Sequence, residues 1–244
     1  MYGILCATPE ELAALKATLH LDIEPEVHGP TTVWTGRHED ETIVVALAGI
    51  GKVNAAAAAT LLLAVFSARV LIFAGVAGGL NPAFPVGSVL LGERLAIHDY
   101  GAISARVFTP TAYGVIPVGA PRLDELTMAS ESVRAVLMRL ADTVAGRLDA
   151  SPYLGGVITA DYFLNCAETR DELHAAFGAD AIDMESGAVA QVAGAWNVDL
   201  YVIRTLSDLA GADSHLTYGE TAAMAARNSA LCVPALLEIL SKDR

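Results

Sequence analysis

The chain has 244 residues, 54% apolar and 18% charged, which is enough for a sizeable core and too apolar for disorder as the main state. Asp and Glu number 28 against 15 Lys and Arg, a formal charge of −13. That balance argues against nucleic acid or an anionic membrane surface as partner, because both reward clustered Lys and Arg.

Three cysteines, Cys6, Cys166 and Cys232, are an odd and sparse set for a secreted disulfide framework, so a reducing cytoplasm is expected. The first residues show no basic stretch followed by an apolar one, so no signal peptide is expected. Residues 2–7 read as a short apolar strand. Thr8-Pro9-Glu10-Glu11 then opens a helix, with an N-cap candidate, Pro at the first helical position, and Leu12, Leu15 and Leu19 on one face. Strands are expected at 31–36 and 42–47, joined by the polar turn Arg37-His38-Glu39-Asp40-Glu41. Gly49-Ile50-Gly51 precedes a charge-free, Ala-rich stretch at 53–68. It is shorter than the roughly 20 apolar residues of a membrane span, so a buried helix is expected.

A strand at 69–74 runs into the glycine cluster Gly75-Val76-Ala77-Gly78-Gly79, read as a loop, and 88–97 gives a further strand. Residues 99–128, rich in Gly, Pro and Thr, read as a long functional or interface loop. Ser130 starts a helix whose Val133, Val136, Leu137, Leu140 and Val144 form one stripe. Strands follow near 156–160, 181–184 and 200–206, with helices between them. A last helix runs over 217–240, with a kink expected before Pro234. The alternation predicts one α/β domain over 1–244 with a mixed or mostly parallel sheet.

In open α/β sheets, ligands bind beyond the carboxyl ends of the strands. Here those ends carry Glu10 and Glu11, the glycine cluster, Asp183-Met184-Glu185, and Ser207-Asp208. Acids converging with bare backbone suit a carboxylate-driven hydrolysis. Each acid also has a structural reading. Thr8-x-x-Glu11 is a capping box, Glu185 suits the positive end of a helix dipole, and Asp208 suits an N-cap or a turn.

Other motifs fail. Gly49-x-Gly51-Lys52 lacks the third glycine of a dinucleotide fingerprint and the Ser or Thr of a P-loop. The six histidines show no metal-ligand spacing, and there is no G-x-S-x-G elbow. Cys6, inside a strand, is expected to be packed rather than nucleophilic. No metal or cofactor is expected.

Seven blocks in order carry a resemblance: Gly3-Ile4-Leu5 through Glu10-Glu11-Leu12, Ala48-Gly49-Ile50-Gly51-Lys52-Val53-Asn54-Ala55-Ala56, Gly75-Val76-Ala77-Gly78-Gly79-Leu80, Val86-Gly87-Ser88-Val89, Ala160-Asp161-Tyr162-Phe163-Leu164, Asp183-Met184-Glu185, and Arg204-Thr205-Leu206-Ser207-Asp208-Leu209-Ala210. The chain resembles the 5′-methylthioadenosine/S-adenosylhomocysteine nucleosidases of the purine nucleoside phosphorylase/nucleosidase superfamily, matching weakly only at 99–154. The resemblance implies a nucleoside phosphorylase-like α/β/α fold of three layers around a central mixed β-sheet. It also implies a small-molecule nucleoside as partner, no cofactor, a homodimer, and hydrolysis of an N-glycosidic bond to adenine.

In the implied site, Glu11 activates water with support from Arg204, and Asp208 gives a proton to purine N7. Glu185 holds the ribose hydroxyls and Met184 lies against the ribose. Phe163 stacks on the base, whose edge meets the backbone of Leu164. Ile50, Val76, Ala77, Gly78 and Ser207 complete the substrate wall. An oxocarbenium-like sugar is best served by one carboxyl group poised as acid and another as base, so Asp208 is to be protonated and Glu11 ionised.

The departures are Val76 for Ser or Thr, Ala160 for Gly, and Ser186-Gly187 for Ala residues; they bear on substrate preference. A phosphorylase would need cationic and backbone donors for phosphate, and Thr8-Pro9-Glu10-Glu11 holds no Arg. Two further alternatives are a nucleosidase for another 5′-modified nucleoside such as futalosine, and a non-catalytic nucleoside-binding protein on the same fold.

Overall fold

A computed structural model describes residues 1–22, 24–149 and 151–243. In chain order the elements are β1 (Tyr2–Cys6), α1 (Pro9–Thr18), β2 (Glu26–His28), β3 (Thr31–His38), β4 (Glu41–Leu47), α2 (Lys52–Ala64), β5 (Val70–Gly79), β6 (Val89–Ile97), β7 (Gly101–Ser104), β8 (Val107–Pro110) and β9 (Thr127–Met128). Then come α3 (Glu131–Val144), β10 (Tyr153–Thr159), α4 (Ala167–Phe177), β11 (Ala181–Asp183), α5 (Ser186–Trp196), β12 (Asp199–Asp208) and α6 (Ser214–Lys242).

The central strands alternate, and each face of the sheet takes its own layer of helices. Tyr2, Ile4 and Cys6 of β1, with Ile43 and Val45 of β4 and Ile72 of β5, pack against α1, α3 and α6. Leu5, Val44, Ala46, Leu71 and Phe73 point the other way, onto α2 and α5. This period of two is the pleat of the strand, and it makes an α/β/α sandwich with apolar residues on both faces. In α3 the buried residues are Val133, Val136, Leu137, Leu140 and Val144, the expected stripe, behind an N-cap at Ser130 whose hydroxyl accepts from Val133 N–H.

The sheet is mixed. Its order is β11-β10-β6-β12-β5-β1-β4-β3-β2, with β9 on β6. It is not open throughout, because β11 pairs parallel with β10 and also antiparallel with β5, Ala181 opposite Gly79 and Ile182 opposite Gly78. Strands β5, β12, β6, β10 and β11 therefore close into a ring, from which β1, β4, β3 and β2 extend. The closure brings Asp183 and Glu185 back along β5.

Several boundaries differ from the sequence expectation. The glycine cluster at 75–79 is not a loop but the second half of β5, hydrogen-bonded to β12 and β11. Residues 99–128 contain the hairpin β7–β8 and the short β9. Strand β2, short and mostly exposed, was not anticipated. Helix α6 begins at Ser214 and continues through Pro234 to Lys242.

Two helices bear on the membrane question. α2 buries Ala55, Ala58, Ala59, Leu62 and Leu63 in the core. α6 is the described helix long and apolar enough to cross a membrane, yet its Ala226, Ala230, Val233 and Leu237 are packed in the core against the sheet.

Candidate active site

Glu11 combines its two readings. Thr8 is extended (φ −121°, ψ 158°) and caps α1, its hydroxyl accepting from Glu11 N–H at 3.3 Å. Glu11 Oε2 accepts in return from the N–H groups of Ala7 (2.6 Å) and Thr8 (3.1 Å), which completes the capping box. Its Oε1 crosses to β5 and accepts from Val76 N–H at 2.9 Å. Only 3% of the residue is exposed, and it lines a cavity of about 440 Å³. The helix cap is the device that orients this carboxylate. Burial pushes its pKa up, while Arg204 and the three N–H donors oppose that shift.

Arg204, on β12, is fully buried and stands behind the acids rather than on the cavity wall. Its Nη2 reaches Asp183 Oδ2 at 2.7 Å and Glu185 Oε2 at 3.4 Å. Nε and Nη2 also donate to Ser186 Oγ at 3.2 and 3.1 Å, and the guanidinium lies 4.0 Å from the centroid of the Phe73 ring. Ser186, a departure from the family pattern, thus acquires a definite partner. Nη1 has no hydrogen-bonding partner among the described residues. Gly75 explains how this group approaches Glu11: a Cβ there would run into both Arg204 Nη1 and Glu11 Oε1. A bare backbone in mid-strand is the requirement at this position. Arg204 therefore holds two carboxylates, Asp183 and Glu185, with one charge, and lies beside a third, Glu11.

Asp183 and Glu185 sit at the turn from β11 into α5. Asp183 accepts from the Thr159 hydroxyl (2.5 Å) and from Ser186 N–H (3.1 Å), satisfying a free donor at the helix start. Glu185, the N-cap residue, is turned toward α2, where its Oε1 accepts from Gly51 N–H at 3.0 Å. Burial first, and the neighbouring Asp183 and Glu11 charges, push its pKa up to about 7 against the pull of Arg204 and the Gly51 N–H. Asp208 ends β12. Its Oδ1 accepts from Ala210 N–H (2.8 Å), a local turn contact, and its Oδ2 accepts from the Ser207 hydroxyl (2.9 Å). Burial raises its pKa as well, with those hydrogen bonds opposing.

The cavity gathers nearly all the residues singled out by the sequence. Glu11, Ile50, Val76, Ala77, Gly78, Phe163, Met184, Glu185, Ser207 and Asp208 all line it. Leu164 is buried and borders a small adjoining recess with Phe163, Met184 and Asp208. Glu10, the other acid after β1, is exposed and outside. Sequence reasoning placed Asp183 at this sheet edge without giving it a role, and missed Ala7, Thr8, Ile182, His215 and Tyr218 as wall residues. His215 and Tyr218 stand three apart in the first turns of α6, where neighbours share a face. Starting that helix at Ser214 instead of 217 would have found them. Tyr218 meets Phe163 edge to face, with 6.0 Å between ring centroids. No Lys or Arg is among the described residues lining this cavity.

The family model of the phosphorylase superfamily matches residues 1–238. The 5′-methylthioadenosine/S-adenosylhomocysteine nucleosidase of Mycobacterium bovis is 35% identical over 259 residues, covering 98% of this chain and 97% of that protein. Among solved structures, the nucleosidase of that name from S. pneumoniae, with a transition-state inhibitor, matches at TM-score 0.83 and 28% identity over 98% of this chain and 99% of that one. The futalosine hydrolase of Helicobacter pylori matches at TM-score 0.84 and 26% identity, over 97% of each chain. By sequence, fold and site together, this chain belongs to the phosphorylase superfamily and, within it, to the 5′-methylthioadenosine/S-adenosylhomocysteine nucleosidase family.

Proposed function

We propose that this chain is an N-ribosyl hydrolase that cleaves 5′-methylthioadenosine, S-adenosylhomocysteine or both, releasing adenine. The observation that carries the reading is the meeting of Glu11, Glu185 and Asp208 on one cavity wall with Phe163 and without a cation. The cavity, about 440 Å³, is in the usual range of small-molecule sites.

Chemistry follows from the environments. Water attacks C1′ and gives a proton to Glu11, while the C1′–N9 bond breaks and its electron pair moves into the purine. Asp208, whose pKa burial raises, delivers a proton to N7, so adenine leaves neutral. The ribose product keeps its 5-substituent and gains the water hydroxyl at C1. Positive charge on the sugar develops between the carboxylates of Glu11 and Glu185, the latter accepting from the ribose hydroxyls. Phe163 offers a face for the base, and Arg204 acts from behind the wall by holding the carboxylates of Asp183 and Glu185.

Phosphorolysis fits this wall badly. A phosphate would enter among carboxylates with no Lys or Arg beside it, and Val76 adds no hydroxyl. The likeness to futalosine hydrolase favours, as a second reading, a nucleosidase for another 5′-modified nucleoside. One experiment separates these readings: incubation with methylthioadenosine, S-adenosylhomocysteine and futalosine, with and without phosphate. Adenine and free 5-substituted ribose in phosphate-free buffer are expected. Cleavage that requires phosphate and yields a ribose 1-phosphate would replace the hydrolase reading by phosphorylase.

A homodimer and a cytoplasmic location belong to the same proposal. The first is supported by exposed apolar residues on the β7–β8 hairpin and α2, namely Ile103, Val107, Phe108 and Val53. The second is supported by three free cysteines, of which Cys6 and Cys232 are buried.

A further inference from the structure

We propose that Lys52 is a positioning residue for nucleoside binding: with Asp99 and Asp161 it forms a clamp that fixes the Phe163 segment to the end of α2 that holds Glu185. The inference rests on the nucleosidase reading in taking Phe163 and Glu185 as ligand contacts.

Lys52 is a poor choice for its position on electrostatic grounds alone. It is the first residue of α2, where the helix dipole disfavours a cation, and the N-cap Gly51 offers no side chain. Two carboxylates from distant parts of the chain serve this helix end instead. Gly51 N–H donates to Glu185 Oε1 at 3.0 Å, and the next N–H, that of Lys52, donates to Asp161 Oδ1 at 2.9 Å. A Cβ on Gly51 would stand 3.3 Å from that Asp161 oxygen, and its φ of +99° suits glycine.

The Lys52 ammonium then closes the clamp. It pairs with Asp99 Oδ1 and lies 3.6 Å from Asp161 Oδ2, while Asp99 Oδ2 accepts from Asp161 N–H at 2.9 Å. One residue after Asp161 and one before Asp99, the Tyr162 hydroxyl and His98 Nε2 are hydrogen-bonded at 2.9 Å. Asp161 and Tyr162 are thus both held, and Phe163 follows directly. Phe163 is 48% exposed, so core packing alone does not fix its ring. Adjacent amides of one helix end therefore set two walls of the cavity, the base side through Asp161 and the ribose side through Glu185.

A role limited to stability predicts something different. Ion pairs that keep contact with solvent, here Lys52 and Asp99 about one-fifth exposed and Asp161 about half, add modestly to global stability, whereas a misplaced wall residue costs binding. The test compares Lys52→Met, Lys52→Arg and Asp99→Asn with the wild type. The readouts are KM and kcat for methylthioadenosine, adenine Kd by calorimetry, and melting temperature. Lys52→Met is expected to raise KM and adenine Kd by about tenfold, with kcat within about threefold and Tm within about 3 °C. Lys52→Arg is expected to recover most of the loss, and Asp99→Asn to reproduce part of it.

Unchanged KM and adenine Kd in Lys52→Met, in an enzyme that does hydrolyse the nucleoside, overturn the clamp and leave the nucleosidase reading intact. Collapse of folding in both Lys52→Met and Asp99→Asn overturns it too, by making the triad a folding element. A wild type that binds adenine but cleaves no nucleoside, with binding lost in Lys52→Met, overturns the nucleosidase reading while the clamp stands.

Discussion

Both oxygens of Glu11 are already committed to backbone donors, Oε1 to Val76 and Oε2 to Ala7 and Thr8. Glu11→Gln presents an NH₂ to one of these groups, so at least one buried acceptor is lost. That loss costs about 1–3 kcal/mol and lowers Tm by roughly 3–10 °C. A residue that only caps α1 would leave hydrolysis standing after this substitution. The water-activating base would not, and the expected outcome is a folded protein that binds adenine and cleaves nothing measurable. Near-normal kcat in Glu11→Gln returns the residue to its capping role. Asp208→Asn is the matching test on the acid side. The amide keeps the Ala210 contact but has no carboxylic proton, so kcat is expected to fall by about 10²-fold or more with inhibitor Kd little changed. Steady-state kinetics beside calorimetry measures both, and an active Asp208→Asn removes the N7 proton donor from the mechanism.

The turn from β11 into α5 and the middle of β12 bring Asp183, Glu185 and Arg204 together, with Glu11 arriving from α1, and this arrangement carries a pH signature. Glu185 is pushed up to about 7 from an ordinary value of 4.5. Between those values the folded protein keeps a proton that the unfolded chain has released. The associated stability is therefore complete below about pH 4.5 and lost as pH rises through about 7. Glu185→Gln cannot titrate, so its Tm is expected to fall less than that of the wild type from pH 5 to 8, by several degrees. Parallel Tm-versus-pH curves for the two proteins would refute the shift. Elements with their own periodicity and caps were legible without the structure: α3 from its stripe and Ser130, and α1 from Thr8-Pro9. What was not legible depends on tertiary pairing or unusual turn chemistry. Gly75 to Gly79 mimic a loop locally and become a strand only because β12 and β11 pair with them. The β7–β8 hairpin turns through Ala105 and Arg106 at φ 50° and 68°, positions where Gly or Asn is the usual signal. The convergence of acids was foreseen, but from the carboxyl ends of an open sheet. The physical cause is the antiparallel return of β11 along β5.

At the scale of the molecule, the cavity and the apolar surface adjoin through α2. Ile50 lines the cavity and is half-exposed, Val53 is 80% exposed one turn later, and beside them runs a groove of about 460 Å³ bordered by Val53, Ala56, Tyr113 and Val192. The hairpin adds Ile103, Val107 and Phe108, and the following segment adds Val115, Ile116 and Val118, all exposed. This is more exposed apolar surface than scattered single residues would give, and such patches mark association sites. The charge of −13 disfavours indiscriminate sticking, so pairing of two copies through these apolar residues is the expected outcome. A homodimer is expected, with an interface above roughly 1,000 Å². Light scattering at micromolar concentration is expected to give twice the chain mass. Val107→Asp, which places a charge on the hairpin where a desolvated interface penalises it, is expected to shift the population to monomer with the fold intact by circular dichroism. Because Ile50 ties the patch to the cavity, that monomer is also expected to bind nucleoside more weakly than the dimer. A wild type of monomer mass removes the dimer. A Val107→Asp protein that stays dimeric with unchanged KM moves the interface away from the hairpin.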